Sequence, residues 1–182
     1  MTWTTRGSRT VYENRWISVR EDQVTGPAGD GIYGVVTMRH PAVFIVAVDE
    51  AERICLVRLD RYTTGSGWEV PAGGTDGEDP EAAARRELRE ETGFVAREWT
   101  LVGRMNALNG IADAPEYVFL ARGLDAVADD GAEQALEGID AVRWVPLAEA
   151  LALVRDGEIS DGESVAALLY AMLQLRPDVL AR

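Results

Sequence analysis

Apolar positions in this chain come in two spacings, and the change between them marks the elements. Residues 42–48 and 54–59 are almost continuously apolar, as in strands buried on both faces, and the polar stretch Asp49-Glu50-Ala51-Glu52-Arg53 between them predicts a hairpin. Before them, residues 1–40 read as β: segments 16–20 and 32–38 flank a turn built on Thr25-Gly26-Pro27-Ala28-Gly29-Asp30-Gly31. After them, Trp68-Glu69-Val70 is a short extended piece that runs into the glycine-rich loop Pro71-Ala72-Gly73-Gly74. Helical spacing then takes over. Asp79 is a suitable N-cap, Pro80 suits the first helical position, and Glu81 favours the positive end of the helix dipole. Residues 82–92 are good helix formers, and Gly93 supplies a left-handed stop. Further strands are predicted at 99–105, 117–121 and 141–145, and helices at 147–155 and 161–175. The pattern predicts an α/β fold, an α/β/α sandwich around a mixed β-sheet with an N-terminal β extension. It divides into an extension, 1–40, and a main domain, 41–182.

Composition narrows what such a fold can do. The 182 residues are 47% hydrophobic and 27% charged, enough for one domain with a substantial core. A formal net charge of -13 argues against nucleic acid or an anionic membrane as the main partner, because both need a basic face. A polyanionic small molecule remains open to an acidic protein when divalent cations bridge the two. Cys55, the only cysteine, lies in an apolar run, which excludes a disulfide framework or a multi-cysteine zinc site within one chain. The only histidine, His40, stands before Pro41 and reads as a surface or turn residue rather than a catalytic one. No apolar run approaches membrane-spanning length and no signal-peptide pattern opens the chain, so the cytoplasm is the default location.

The candidate chemistry sits in residues 73–94. At 100° per residue, Glu87, Glu90 and Glu91 fall within roughly 100° of one another on the helix surface. Arg86, four residues before Glu90, can offset one of the three charges. Glu87 and Glu91 are left as an i, i+4 pair able to converge on a hard cation, which prefers carboxylate oxygens. Taken alone, such a face reads as a solvated, salt-bridged helix surface. The glycine-rich loop before it changes that reading, because it brings backbone close to a helix N-terminus, where phosphate binds readily.

This segment resembles the Nudix box, Gly-x5-Glu-x7-Arg-Glu-U-x-Glu-Glu-x-Gly-U, where U is bulky and apolar. The chain reads Gly73-x4-Glu78-x7-Arg86-Glu87-Leu88-Arg89-Glu90-Glu91-Thr92-Gly93-Phe94. Its loop is one residue short before Glu78, and the last position is Phe rather than an aliphatic. Trp68-Glu69-Val70-Pro71-Ala72-Gly73 is similar to the Glu-Leu-Pro-Ala-Gly approach of the ADP-ribose pyrophosphatase branch. Residues 147–170, with Gly157-Glu158-Ile159-x-Asp161, are similar to that branch's C-terminal helices.

The resemblance implies hydrolysis of a phosphoanhydride in a nucleoside diphosphate linked to another moiety, above all ADP-ribose to AMP and ribose 5-phosphate. It implies Mg²⁺, or Mn²⁺ in its place, held by the Ala72 carbonyl, Glu87 and Glu91, with Glu90 bridging or supporting and Arg86 beside them. A water-activating carboxylate would come from a loop before the last strand: Glu137 is the better match and Glu133 the reserve. Residues 125–138 are rich in Asp, Glu, Ala and Gly and lack an apolar period, which predicts a flexible loop. Arg61 and Glu69, with Gly73 and Gly74, are the implied substrate contacts. Asp60 stands where a glutamine is frequent, and residues 106–116 lack the branch's Ser-Pro-Gly; both departures fall where substrate choice is made. A nucleotide sugar, coenzyme A or a dinucleotide is therefore an alternative substrate, and a non-catalytic ADP-ribose or nucleotide sensor an alternative function. The branch also implies a homodimer formed through the N-terminal strands, where Trp16, Ile17 and Val19 offer apolar surface.

Overall fold

The first strands pair with their neighbours in sequence. β1 (Thr4–Glu13), β2 (Ile17–Gly26) and β3 (Gly29–Met38) form an antiparallel meander. The expected turn over residues 25–31 closes more tightly, with Gly26 opposite Gly29 and only Pro27 and Ala28 between them. Gly29 has a φ of 104°, a conformation that side chains resist. The structure, a computed structural model, describes residues 2–127 and 132–180.

Alternation along β4 (Ala42–Ala47) sets the layers. Its Val43, Ile45 and Ala47 pack with Ala83, Ala84 and Leu88 of α1 (Pro80–Thr92), while Phe44 and Val46 pack with Ala167, Leu168 and Ala171 of α4 (Gly162–Leu175). Successive strand side chains point to opposite faces, so a strand apolar at every position must be covered on both. β5 (Arg53–Arg61) repeats the pattern, with Ile54 and Leu56 toward α4 and Cys55 toward α1. β6 (Gly65–Glu69) and β7 (Ala72–Gly74) lead into α1. β8 (Phe94–Asn106), β9 (Ala112–Asp113) and β10 (Pro115–Ala126) follow it, with Val118 and Leu120 on the α4 side and Phe119 and Ala121 on the α1 side. A short helix α2 (Ala132–Leu136), β11 (Ile139–Pro146) and α3 (Leu147–Arg155) precede α4. The α/β sandwich expected from the pattern is the fold.

Two expectations change. The runs at 42–48 and 54–59 touch through a single bridge, Val48 to Ile54, and then part into different sheets. A strand has two hydrogen-bonding edges. β4 gives its edges to β7 and to β10, the latter in parallel, and β5 gives its edges to β6 and β11. The single mixed sheet is thus a mixed sheet β7-β4-β10-β8 beside an antiparallel one, β11-β5-β6. The segment expected as a plain loop, 125–138, carries the five-residue helix α2; its residues 128–131 lie outside those described.

Candidate active site

Local signals place α1 as the sequence predicts. The Asp79 side chain accepts from the Glu81 and Ala82 amides, and Gly93, at a φ of 72°, donates to the Arg89 carbonyl. β7 lays the glycine-rich loop against β4, with Gly73 opposite Val43 and Ala72 opposite Phe44. This brings the loop onto the carboxylate face of α1. A Cβ on Gly73 would lie 2.2 Å from the Glu87 carboxyl carbon, so only glycine allows that carboxylate to lie against the backbone. The Ala72 amide donates to Glu91 Oε2 at 2.8 Å.

Both carboxylates are buried, Glu87 at 7% exposure and Glu91 at 4%, where ionised groups carry a desolvation cost. Burial pushes the Glu91 carboxyl up to about 8; the bond from Ala72 opposes the rise, while Glu87 and Glu137 add to it. Glu87 is also raised, first by burial, against the pull of Arg86, with Glu90 and Glu137 adding repulsion. Among the described residues, no three acidic, histidine or cysteine side chains converge as a finished metal shell. The donor set nonetheless suits a hard divalent cation. Glu87 and Glu91 are buried oxygen donors that repel each other, and Ala72, whose carbonyl would be a third donor, is tied to them.

Arg86 does more than offset one neighbour. It donates to Glu87 at 2.7 Å, to Glu90 at 3.0 Å, to Glu78 at 3.2 Å and to the Gly74 carbonyl at 3.0 Å. One guanidinium therefore pins the loop to the helix, and Glu78 is engaged here despite the shortened loop. Gly74 meets Arg86 through its carbonyl, and Gly73 serves the close approach of Glu87.

The two loop glutamates separate clearly. Glu133 pairs with Arg89 at 2.9 Å. Glu137 is exposed and lies near enough to raise both Glu87 and Glu91. α2 spaces them one turn apart, with the Glu137 amide donating to the Glu133 carbonyl at 3.0 Å.

Arg61 and Glu69, expected as separate substrate contacts, are bound to each other at 2.7 Å. They stand on the wall of a cavity of about 470 Å³ that also takes in Trp68, Glu116, Asp161 and Glu163. Arg61 acts electrostatically on Glu91, so the cavity and the carboxylate pair adjoin. The opposite wall is fixed by Ser164, whose buried hydroxyl accepts from the Val70 amide at 3.0 Å, and by Asp161, which caps α4 through the Ser164 amide. Sequence reasoning missed Glu116 and Glu163. The one available signal was a carboxylate directly before the apolar run 117–121, where an exposed strand end was the natural reading. The other site features behave as expected: His40 is exposed, and Cys55 is buried, with burial pushing its thiol upward.

Known proteins are similar to this chain. The NUDIX domain family matches residues 38–168, and the nucleoside diphosphate sugar hydrolase N-terminal domain family matches residues 3–36. The chain is 36% identical to an ADP-ribose pyrophosphatase of Mycobacterium tuberculosis, over 91% of this chain and 81% of that one. It is 33% identical to a CMP-5'-(N-acetyl-N-hydroxy-3-aminopropyl)phosphonate hydrolase of Streptomyces rubellomurinus, over 92% and 82%. A crystal structure of an ADP compounds hydrolase superposes with a TM-score of 0.84 at 24% identity, covering 98% of this chain and 96% of that one, which speaks for the fold. Matched along most of its length by the family domain, and carrying that family's acidic helix against a glycine loop, this protein belongs to the Nudix family of hydrolases.

Proposed function

We propose that the chain is a Mg²⁺-dependent pyrophosphohydrolase that splits the phosphoanhydride of a nucleoside diphosphate linked to a second moiety, with ADP-ribose as the leading substrate. The observation that carries this reading is the buried Glu87–Glu91 pair adjoining a cavity that has Arg61 on its wall. The similarity to the Mycobacterium tuberculosis ADP-ribose pyrophosphatase supports the substrate. Glu87, Glu91 and the Ala72 carbonyl would hold the cation, with Glu90 in support; Mn²⁺ has the same ligand preferences. Bound there, the metal neutralises diphosphate charge and makes water more acidic. Glu137 takes the proton of the attacking water as its oxygen bonds to phosphorus, and the bridging P–O bond breaks to leave AMP and ribose 5-phosphate. Arg86 holds the loop and the carboxylates in place, and Arg61 offers a cation to the phosphates.

A second substrate class has its own support, because residues 3–36 match a nucleoside diphosphate sugar hydrolase domain. Product analysis on ADP-ribose, GDP-mannose, UDP-glucose and coenzyme A, each with and without Mg²⁺, tests both classes. Absence of turnover on all of them, with retained binding of ADP-ribose, would favour the sensor reading.

The proposal extends to assembly and location. Residues 1–40 would form a dimerisation element and 41–182 the hydrolase domain. Trp3, Tyr12, Trp16 and Ile32 stand exposed on and beside the N-terminal strands, a larger apolar surface than Trp16 alone, while Ile17 and Val19 are half-buried. Light scattering at micromolar concentration should give twice the chain mass, and a monomer mass would end the dimer proposal. We place the enzyme in the cytoplasm, where its free Cys55 would stay reduced. Among the described residues no helix is long and apolar enough to cross a membrane.

A further inference from the structure

The cavity has an acidic end that the proposed hydrolysis does not use. Glu116, at the start of β10, is 7% exposed, and its Oε2 is buried without a hydrogen-bond partner. Asp161 and Glu163, from the start of α4, act on it with like charge. Glu69 adds to the repulsion on Glu163. Against these four carboxyl groups the cavity wall carries one guanidinium, Arg61, already paired with Glu69. A buried acceptor without a partner costs about 1–3 kcal/mol, so the arrangement persists most readily if something that enters the cavity satisfies it. That something must bring hydrogen-bond donors and must not bring negative charge.

We propose that this end of the cavity selects the non-nucleotide moiety of the substrate, accepting an uncharged, hydroxyl-rich group such as a sugar and rejecting an anionic one, with Glu116 as the specificity-determining residue. The lining favours a sugar over a base. Besides the carboxyl groups it offers threonine and serine hydroxyls, a set of acceptors suited to several hydroxyl donors, and Trp68 adds apolar surface to the same lining. Burial, then repulsion from Glu163 and Asp161, pushes the Glu116 carboxyl up to about 7, which marks how poorly its protein surroundings support its charge. A sugar hydroxyl donating to Oε2 relieves that cost, whereas a carboxylate or phosphate in the same place adds a further like charge in a poorly screened setting. Since a site built to pair hydroxyls discriminates by leaving its own polar groups unmatched, the preference should appear in kcat/KM.

The inference rests on the proposed pyrophosphohydrolase activity, and two matched pairs keep the two apart. ADP-ribose is compared with ADP-ribose carrying a 1''-phosphate on the distal ribose, and UDP-glucose with UDP-glucuronate. For whichever neutral compound is turned over, its anionic partner should be worse by about tenfold or more in kcat/KM. Glu116→Gln, which keeps shape and removes charge, should shrink that ratio to about threefold or less, and Glu163→Gln should shrink it in the same direction. Glu163→Gln also serves if the first variant fails to fold. Turnover of a neutral compound with no preference over its anionic partner overturns the inference while leaving the hydrolase reading intact. A preference that neither variant reduces also overturns it, since it would then arise from size. No turnover of either neutral compound overturns the inference, and the hydrolase reading falls with it only if GDP-mannose and coenzyme A are not turned over either.

Discussion

Two groups of carboxylates in this molecule are similarly buried and differently supported. On α1, Glu87 and Glu91 lie against the glycine loop, and Glu87, Glu90 and Glu91 each accept a hydrogen bond from Arg86 or Ala72. Across the cavity, Glu116 has an oxygen with no partner and faces Asp161 and Glu163. The first group is arranged so that a multivalent cation can complete it, because Glu87 and Glu91 are held against the glycine loop with the Ala72 backbone beside them. The second has no such fixed support at Glu116 Oε2 and calls for neutral hydrogen-bond donors. Similar residue types, buried to a similar degree, thus point to different ligands, and the deciding variable is how many fixed donors the fold places around them.

The largest effect should come from the supported group. Glu91→Gln keeps the bond from the Ala72 amide and similar helix propensity, so the fold should persist while kcat falls by orders of magnitude at saturating Mg²⁺. Near-wild-type turnover in a steady-state assay would remove Glu91 from the metal site. Next in size, Glu137→Gln should lower kcat by about 100-fold with little change in KM. Glu133→Gln, which loses only the ion pair to Arg89, should do far less; the reverse order would exchange their roles.

A stability effect follows. Arg86→Ala leaves Glu87 without its cation, leaves Glu90 only the 3.5 Å contact to Arg89, and frees the Gly74 carbonyl, and denaturant unfolding should show a loss of about 1–3 kcal/mol. An unchanged midpoint would mean that the arginine is no structural tie.

The smallest effect probes the unsupported group. Glu116 has a folded-state value raised by burial from 4.5 to about 7, so its contribution to stability is present below the unfolded value and is lost as pH rises through about 7. Ligand-free protein should therefore lose stability as pH rises from about 4.5 to about 7, in addition to the loss that the raised Glu87 and Glu91 carboxyls bring, and Glu116→Gln should remove part of that slope. Equal slopes in the two proteins would show that Glu116 is not the group responsible.

How much of this was legible beforehand depends on distance along the chain. The cap at Asp79, the stop at Gly93 and the carboxylate face between them were all readable, because each depends on residues within a few helical turns. Helix α3 was read with its observed bounds for the same reason. The apolar runs at 42–48 and 54–59 were readable as strands, but their partners were not. β4 pairs with β10, more than seventy positions later, and nothing local specifies that choice. The separation of Glu137 from Glu133 turns on where Arg89 sits, again a non-local fact.

The sequence by itself determined the layers, the acidic helix and the glycine-rich loop before it, since periodicity, capping and turn chemistry act over short separations; that Gly73 lies against the Glu87 carboxylate came from the structure. Only the tertiary structure decided that β4 and β5 part into two sheets, that Arg61 and Glu69 bind each other, and that Glu116 meets Glu163 in one cavity. Those outcomes depend on which strand edges remain open and which helix start lies across the sheet, and such contacts form only when the whole chain closes on itself.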